Sequence, residues 1–453
     1  MKKKTKKIIL ISLGTLVLVV GILALIYLDM IIIFLGNKNL EGKQGNIPRV
    51  ESNIQIPIEK GENDWPCWRG IKGDGRSGVT GIVTDWSKGL KKEWQVDYLC
   101  SDQGTATWSA PNIQGKHLFV CGRDEENDLV FCLNAETGEL IWEESFQSEK
   151  VSIHGAGARA TPYLDGDYIF TFNRGGDLIC REISDGRMVW HRNVDKEGGK
   201  PPRWGHSTSP LVYNALVIVD AGGTAGTIAF EKDTGAIKWK TGQGFSGYAA
   251  LSKMRIDDKD MIVSFHEDGL SAIDPEDGNR TWFVPWKHST PVNAATPVVS
   301  GNRVFITSIG IGCELLEVSS TQAKVLWKNK NIESHHSDPI IMDGYIYGYS
   351  GLSGQNRGTF KCLDLKTGGE MWSTKIMGWG TFVYVDSYLL CLDIKGNLFL
   401  MKPDPKEFIK ITELKNVFGK IRGPVWTVPV IANDRLYVRY KQQLICFNLK
   451  EAL

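Results

Sequence analysis

Hydrophobic and polar residues follow a repeating order along most of the chain, with a period of about 45 residues. Each unit opens with a short apolar run that begins near a proline and ends at Gly, Asn or Asp. Two further apolar runs follow, and a Thr-Gly or Asp-Gly turn leads into a last run that contains tryptophan. Residues 133–142, LNAETGELIW, show this turn and last run. Alternating apolar runs separated by turn formers predict β-strands, so each unit predicts four antiparallel strands.

Tryptophan and glycine hold fixed places in the unit. Glycine lies four residues before the tryptophan in most units, and Ala323 replaces it before Trp327. Glycine can adopt the positive φ of a hairpin turn, and tryptophan buries a large ring on the returning strand. We expect this pair to lock neighbouring units together. The tryptophans assigned this structural docking role are Trp94, Trp142, Trp190, Trp239, Trp282, Trp327 and Trp372.

Units of four strands predict an all-β, eight-bladed β-propeller over residues 65–453. Residues 91–97 match the last run of a unit but have no unit in front of them, whereas residues 425–449 supply three runs and then stop. Joining these two ends in one blade would close the ring and remove exposed sheet edges. A further blade, residues 381–415, lacks a tryptophan.

The amino terminus has the pattern of a membrane anchor. Five lysines lie within residues 1–7, and residues 8–28 carry no charge, which is long enough to cross a bilayer core of about 30 Å. Because lysines favour the cytoplasmic side, we predict a cytoplasmic basic segment (1–7), a transmembrane signal anchor (8–28) and a linker (29–64). The propeller would then lie on the extracytoplasmic, periplasmic face of a single-pass protein of the cell membrane. The alternative is a cleaved signal peptide and a soluble exported protein.

Charge and cysteine content narrow the range of functions. The formal net charge of +1 argues against a protein that binds nucleic acids by electrostatic attraction. Separately, we expect the protein to be a monomer. The nine cysteines show no metal-ligand spacing, so no metal site is expected. Four of them occupy equivalent places in different units and would lie too far apart around a ring to pair, which favours core positions over disulfides. These are Cys132, Cys180, Cys362 and Cys446.

The repeats resemble a known family. Residues 133–142, 230–239 and 363–372 resemble the tryptophan-docking motif of quinoprotein alcohol dehydrogenases, which bind pyrroloquinoline quinone (PQQ) in an eight-bladed propeller. The chain from Trp65 onward resembles PQQ-like propeller proteins more closely, and these are similar to the propeller lipoprotein of the outer-membrane barrel assembly machinery. Their opening pattern, WPxxRGxxxxGxS, is matched here by Trp65, Pro66, Arg69, Gly70, Gly75 and Ser77.

The resemblance implies two classes of function. The dehydrogenases hold PQQ over a ring formed by two adjacent cysteines, with a calcium or lanthanide ion and a catalytic Asp, and this chain has no adjacent cysteine pair and no haem motif. We therefore expect a membrane-anchored, non-catalytic binding or scaffold module without catalytic residues or cofactor, whose partner is an envelope protein or glycan. The alternative is a PQQ-dependent quinoprotein oxidoreductase that faces the periplasm and uses PQQ with calcium.

A candidate binding site follows from the propeller itself. Residues just before the repeat prolines should crowd one mouth of the central channel. Convergent His and carboxylate groups there would suit a metal or proton transfer, Arg with aromatic rings would suit an anion, and a plugged channel would leave these groups bonded to one another. The candidates are His154, Arg159, His206, His336, Asp338 and Trp426, with Trp108, Trp204, Tyr248, Asn293, His335 and Trp379 around them.

Residues 65–78, WPCWRGIKGDGRSG, form a separate feature before the first unit. Their glycines exclude a regular element. We expect a loop whose Trp65 and Trp68 pack on the outside of the propeller. The alternative is a docking or ligand-contacting segment.

Overall fold

The computed structural model describes residues 59–102, 104–149, 154–242, 244–286, 292–353 and 358–453. These residues form eight four-stranded antiparallel sheets, which confirms the predicted all-β, eight-bladed β-propeller. Within the same residues, no helix has the length and apolarity needed to cross a membrane. The predicted basic segment, the anchor at residues 8–28 and most of the linker lie outside the described residues.

Blades 1 to 4 follow one another along the chain, each from its inner to its outer strand. Blade 1 holds β2 (Asn112–Gln114), β3 (His117–Arg123), β4 (Asn127–Asn134) and β5 (Leu140–Gln147). Blade 2 holds β6 (Tyr163–Asp165), β7 (Tyr168–Phe172), β8 (Asp177–Glu182) and β9 (Met188–Asn193), and a 3-10 helix follows (Val194–Glu197). Blade 3 holds β10 (Leu211–Tyr213), β11 (Leu216–Gly222), β12 (Gly226–Glu231) and β13 (Ile237–Lys240). Blade 4 holds β14 (Ser252–Ile256), β15 (Lys259–Phe265), β16 (Gly269–Ile273) and β17 (Arg280–Pro285).

Blades 5 to 8 complete the ring. Blade 5 holds β18 (Val298–Ser300), β19 (Arg303–Ser308), β20 (Gly312–Val318) and β21 (Ala323–Asn329). Blade 6 holds β22 (Ile340–Met342), β23 (Tyr345–Ser350), β24 (Thr359–Asp364) and β25 (Glu370–Thr374). Blade 7 holds β26 (Gly380–Val385), β27 (Tyr388–Asp393), β28 (Leu398–Lys402) and β29 (Ile409–Leu414). Blade 8 holds β30 (Val430–Ala432), β31 (Arg435–Tyr440), β32 (Gln443–Ala452) and β1 (Leu90–Val96).

The two ends of the propeller meet in blade 8. Strand β1 pairs antiparallel with β32, so that Trp94 lies opposite Cys446 and Val96 lies opposite Leu444. Middle strands such as β3 are buried at every position because both faces of a blade pack on neighbouring blades. The ring is therefore closed by hydrogen bonds between strands that lie far apart in the chain, and β1 supplies the outer strand that blade 8 would otherwise lack.

Each repeat tryptophan reaches from its own blade to the next one. Its indole Nε1 donates to a backbone carbonyl at the turn between the third and fourth strands of the following blade. In five of the seven joints the ring also lies against a glycine of that turn, and a Cβ on Gly138 would lie 2.7 Å from the Trp94 ring. The acceptors are Ala135 for Trp94 (3.0 Å), Ile183 for Trp142 (2.9 Å), Lys232 for Trp190 (2.8 Å), Pro275 for Trp239 (3.0 Å), Ser319 for Trp282 (3.1 Å), Leu365 for Trp327 (3.0 Å) and Asp404 for Trp372 (2.8 Å).

The cysteines take part in the same joint. All nine lie within the described residues and are free and buried. Four face a docking tryptophan directly across the strand pair, where a small apolar side chain leaves room for the ring. These pairs are Cys132 with Trp142, Cys180 with Trp190, Cys362 with Trp372 and Cys446 with Trp94.

Replacing Trp239 with Ala should lower stability by about 3–5 kcal/mol, because a large buried ring leaves a cavity between blades 3 and 4. Thermal unfolding followed by circular dichroism measures the effect. The exposed neighbour Lys238→Ala, on the same strand, is the control and should change the unfolding midpoint little. An unchanged midpoint for Trp239→Ala would contradict the docking role of that ring.

Candidate functional site

Residues 65–78, here called the channel segment, lie across one end of the central channel. Arg69, Gly70 and Gly73 all have positive φ, which turns the chain too sharply for a helix or strand. Trp65 exchanges two backbone hydrogen bonds of 3.0 Å with Ile113 in the inner strand of blade 1, and the same segment bonds inner strands of blades 6 and 7 across the ring. Inner strands that face each other can be bridged only across the channel. The expectation that Trp65 and Trp68 pack on the outside was therefore wrong.

Asp338 anchors the channel segment. Its carboxylate lies 3.1 Å from Arg69 Nη1, and both side chains are only 7% exposed. Trp68 Nε1 donates to the same carboxylate at 3.1 Å and to Thr296 Oγ1 at 2.9 Å. The second carboxylate oxygen accepts from the backbone N–H of Thr296 at 2.8 Å. Asp338 is thus fully engaged by the chain itself and is directed toward the segment.

The channel next to the segment, called the mouth, holds a cluster of aromatic rings. The Trp108 and Trp426 ring centroids lie 4.8 Å apart, and Trp108 Nε1 donates to the His154 carbonyl at 2.8 Å. His336 packs edge-on against Trp379 at 4.6 Å and Trp426 at 5.7 Å, and the His154 ring lies 5.8 Å from Trp426. The structure therefore brings together three of the predicted mouth residues, His154, His336 and Trp426.

The mouth disfavours additional positive charge. Burial and the charge of His154 lower the pKa of His335 to about 4, and burial and the charge of His335 hold the pKa of His336 well below its ordinary value. Burial, followed by repulsion from Arg159 and Arg174, lowers the pKa of His154. Arg159 thus lies close enough to influence the cluster, and its own pKa is lowered to about 9 by burial and by Arg174. The imidazoles are neutral at pH 7, whereas the guanidinium of Arg159 stays charged.

His206 lies apart from this cluster. Its Nε2 lies 2.9 Å from Asp195 Oδ1, and its ring contacts Phe172 at 5.2 Å, so it belongs to the interface between blades 2 and 3. Arg174 lies beside it and donates to the Trp204 carbonyl at 3.1 Å. Of the six predicted residues, His206 and Asp338 are therefore the two that do not converge on the mouth.

Two polar groups near the mouth were missed in the sequence. Arg174 lies in a turn after β7, and nothing in its sequence context distinguishes it from a surface residue. Asp220 lies 3.3 Å from His266 Nδ1 and accepts from the Gly247 backbone at 3.0 Å. Asp220 lies in the apolar strand β11, within VIVDAG. A single carboxylate in an apolar run indicates a buried, hydrogen-bonded group, so the sequence could have identified Asp220.

The fold and channel define a PQQ-like repeat propeller. The chain belongs to the family described as "Outer membrane protein assembly factor BamB", whose profile matches residues 126–374. This confirms the resemblance drawn from the repeats. Two curated relatives share low identity with the chain. The outer membrane protein assembly factor BamB of Yersinia pestis is 21% identical over 329 residues, which is 66% of this chain and 77% of that protein. The quinoprotein ethanol dehydrogenase of Pseudomonas aeruginosa is 23% identical over 408 residues, which is 75% of this chain but 61% of the enzyme.

Solved structures show the same fold at lower identity. BamB from Moraxella catarrhalis aligns with a TM-score of 0.58 at 15% identity, over 80% of this chain and 99% of that chain. A europium-containing methanol dehydrogenase aligns with a TM-score of 0.65 at 13% identity, over 84% of this chain and 90% of that chain. Assembly factors and dehydrogenases share this architecture, so function has to be argued from the channel.

The channel residues do not fit a quinone with its calcium ion. Trp68 lies in the channel, and the two cavities that it lines, of about 20 Å³ and about 260 Å³, are both smaller than the roughly 300–1,000 Å³ of small-molecule sites. Asp338, the carboxylate predicted for the mouth, is already bound by Arg69 and Trp68. Among the residues that the structure describes, no group of three or more His, Cys, Asp or Glu side chains is placed to hold a metal ion.

Replacing Asp338 with Asn should destabilise the protein by about 3–5 kcal/mol, because it leaves the buried Arg69 guanidinium without its charged partner. The matched control is Asp74→Asn in the same segment, whose pair with Arg76 is about one third exposed and should contribute about 0–1 kcal/mol. Urea unfolding measures both. Equal effects of the two changes would show that Asp338 does not anchor the segment.

Acid should weaken the mouth. Because the folded pKa of His335 is about 4 and that of an unfolded histidine is about 6.5, the unfolded state binds protons first as the pH falls through this range. The stability contribution of neutral His335 and His336 is present above about pH 6.5 and is lost below it. The melting temperature of the wild type should therefore fall further between about pH 7.5 and pH 5 than that of the variant His335→Gln/His336→Gln. If the melting temperatures of the two proteins fell equally, His335 and His336 would not be the cause of the loss of stability in acid.

Proposed function

We propose that this protein is a non-catalytic binding module of the cell envelope, held by an uncleaved anchor at residues 8–28 with its propeller on the extracytoplasmic face. The observation that carries this proposal is the closure of the channel by the chain itself. Asp338, a candidate for chemistry in an open channel, instead anchors Arg69 and Trp68 of the channel segment. A closed channel leaves the loops and rims of the propeller as the surfaces for recognition.

The comparisons support a protein partner. The family profile and two of the curated relatives carry the description "outer membrane protein assembly factor", and the structure of one such protein is covered almost completely by this chain. By analogy, the partner would be a protein of the cell envelope. A glycan remains the other ligand class that the sequence predicts.

Loops on the mouth side offer a contact surface. Phe245 is 58% exposed, Ile376 is 62% exposed and Leu352 is 42% exposed, and all three lie in connections on that side. Exposed apolar side chains mark a protein interface where they form a contiguous patch, so these three positions serve to probe the surface for one. Arg203 adds a cation over the Trp204 ring at 5.4 Å. These residues are the first places where a partner should be sought.

A photo-crosslinking amino acid at Phe245 or Ile376, in the full-length protein in its own cells, should trap envelope proteins identified by mass spectrometry. The control site is Lys92, which is exposed on β1 at the outer edge of blade 8. Adducts at the mouth-side positions and none at Lys92 support the proposal. Equal labelling at all three sites, or none, argues against it.

The second candidate function, PQQ-dependent oxidation, is favoured by the similarity to a quinoprotein ethanol dehydrogenase over 75% of the chain. Titration of the purified full-length protein with PQQ and calcium should give no saturable absorbance change and no alcohol-dependent dye reduction, because Trp68 and the Arg69–Asp338 pair lie in the channel. A saturable change with dye reduction would instead establish the enzyme.

A further inference from the structure

The channel segment binds the ring by adding its backbone to the free sides of inner strands. Trp65 pairs with Ile113 in blade 1, and the carbonyl of Pro66 accepts from Leu164 in blade 2 at 2.8 Å. On the other side of the ring, Tyr384 in blade 7 donates to Gly75 at 2.9 Å. Arg69 and Arg76 reach carbonyls of blade 6. The inner edges of blades 1, 2, 6 and 7 are thus occupied by the chain itself.

The inner edges of blades 3, 4 and 5 are arranged differently. Strands β10, β14 and β18 are the terminal strands of their sheets. In the part of the chain that the structure describes, no backbone hydrogen bond joins them to the channel segment. Among the hydrogen bonds of the described residues, the indole of Trp68 reaches blade 5 at Thr296. A cavity of about 260 Å³ lies between these three strands and residues 67–74.

The cavity is lined by an apolar surface with basic groups at its rim. Pro210, Leu211, Leu251, Pro297 and Val298 supply the apolar part. Two exposed lysines add charge at the rim, and Ile71 beside one of them is 50% exposed. The acidic group in the lining is Asp74, whose carboxylate faces Arg76 at 3.7 Å, and Arg69 is paired with Asp338. The lysines of the lining are Lys72 and Lys253.

Lys253 is held by weak contacts that a ligand could replace. Its Nζ lies 3.3 Å from the carbonyl of Val212 and 3.3 Å from the Tyr163 hydroxyl. The Val212 carbonyl lies on the free side of β10, where an added strand would offer a backbone N–H. That exchange would release the ammonium group of Lys253 for a carboxylate, which forms a stronger, charge-assisted hydrogen bond. In blade 5, the Pro297 carbonyl already accepts a hydrogen bond from Ser252 Oγ at 2.7 Å, so it is not open to an added strand.

We propose that this cavity receives an extended acidic peptide of a partner protein, which adds as a strand to the inner edge of blades 3 and 4 and places a carboxylate on Lys72 and Lys253. The site rests on the proposed function, since it gives the binding module a chemical class of partner. The cavity is smaller than the roughly 300–1,000 Å³ of small-molecule sites, and it suits one or two apolar side chains. The channel segment shows that equivalent inner edges of this ring, those of blades 1 and 7, accept an added chain.

The test uses a fluorescein-labelled eight-residue peptide that alternates valine with glutamate, added to the full-length protein in detergent. Fluorescence anisotropy should show saturable binding, weakened at least about tenfold by Lys72→Glu/Lys253→Glu. Lys324→Glu on the exposed strand β21 is the matched control and should bind like the wild type. A peptide with lysine in place of glutamate, and a peptide with N-methyl groups on alternate amides, should both fail to bind.

Several results would overturn the site: no saturable binding, equal binding to the charge-reversed variant, or equal binding of the N-methylated peptide.

Hydrogen exchange locates the peptide, since β10 and β14 should become protected. The double variant should keep the wild-type melting temperature, which shows that it folds. If crosslinks form at Phe245 or Ile376 but the peptide does not bind, the binding function stands and the peptide site is wrong. If the peptide binds but no envelope protein is crosslinked, the envelope function is wrong.

Discussion

Closure of the ring is the constraint on which the rest of this structure depends. Each blade has two apolar faces, and every face must be covered by a neighbour, because an open array would leave one blade exposed at each end. Strand β1 meets this need by pairing with β32 in blade 8. Trp94 of β1 then joins blade 8 to blade 1, because its indole donates a hydrogen bond to the Ala135 carbonyl. The same indole-to-carbonyl joint is repeated around the ring, so stability is shared among many equivalent contacts.

A closed ring creates a channel, and the chain fills one end of it with its own residues. A buried pair such as Arg69 with Asp338 contributes little net stability, since the desolvation of both groups offsets their attraction. The pair instead fixes the conformation of the channel segment, because the Asp338 carboxylate can bind Trp68 and Arg69 together in only one arrangement. We therefore propose that the architecture shared with dehydrogenases serves binding in this protein. The surfaces that remain for recognition are the mouth-side loops and the open inner edges of blades 3 to 5.

Much of the fold could be predicted because the repeat reports directly on strand position. The Trp and Gly spacing, the prolines and the unmatched ends together indicated eight blades, and the degenerate blade at residues 381–415 agrees with β26 to β29. The site was harder. Spacing before the prolines placed His154, His336 and Trp426 near one another, but it could not tell where a side chain points. The His206 ring is hydrogen-bonded to Asp195. The Asp338 carboxylate pairs with Arg69, which lies 269 positions away in the chain. The channel segment lacks any period, so its path across the ring had no signal in the sequence.

Closure of the channel by its own segment is tested most directly by the hydrogen exchange rate of the backbone amides in residues 65–78 of the full-length protein at neutral pH. The amides of Trp65, Gly75 and Ser77 each donate to a backbone carbonyl, of Ile113, Arg69 and Tyr384 respectively. We predict that Trp65 and Ser77 are protected as strongly as the inner strands they bond. Exchange at the rate of an unstructured peptide would contradict it, because the segment would then leave the channel open.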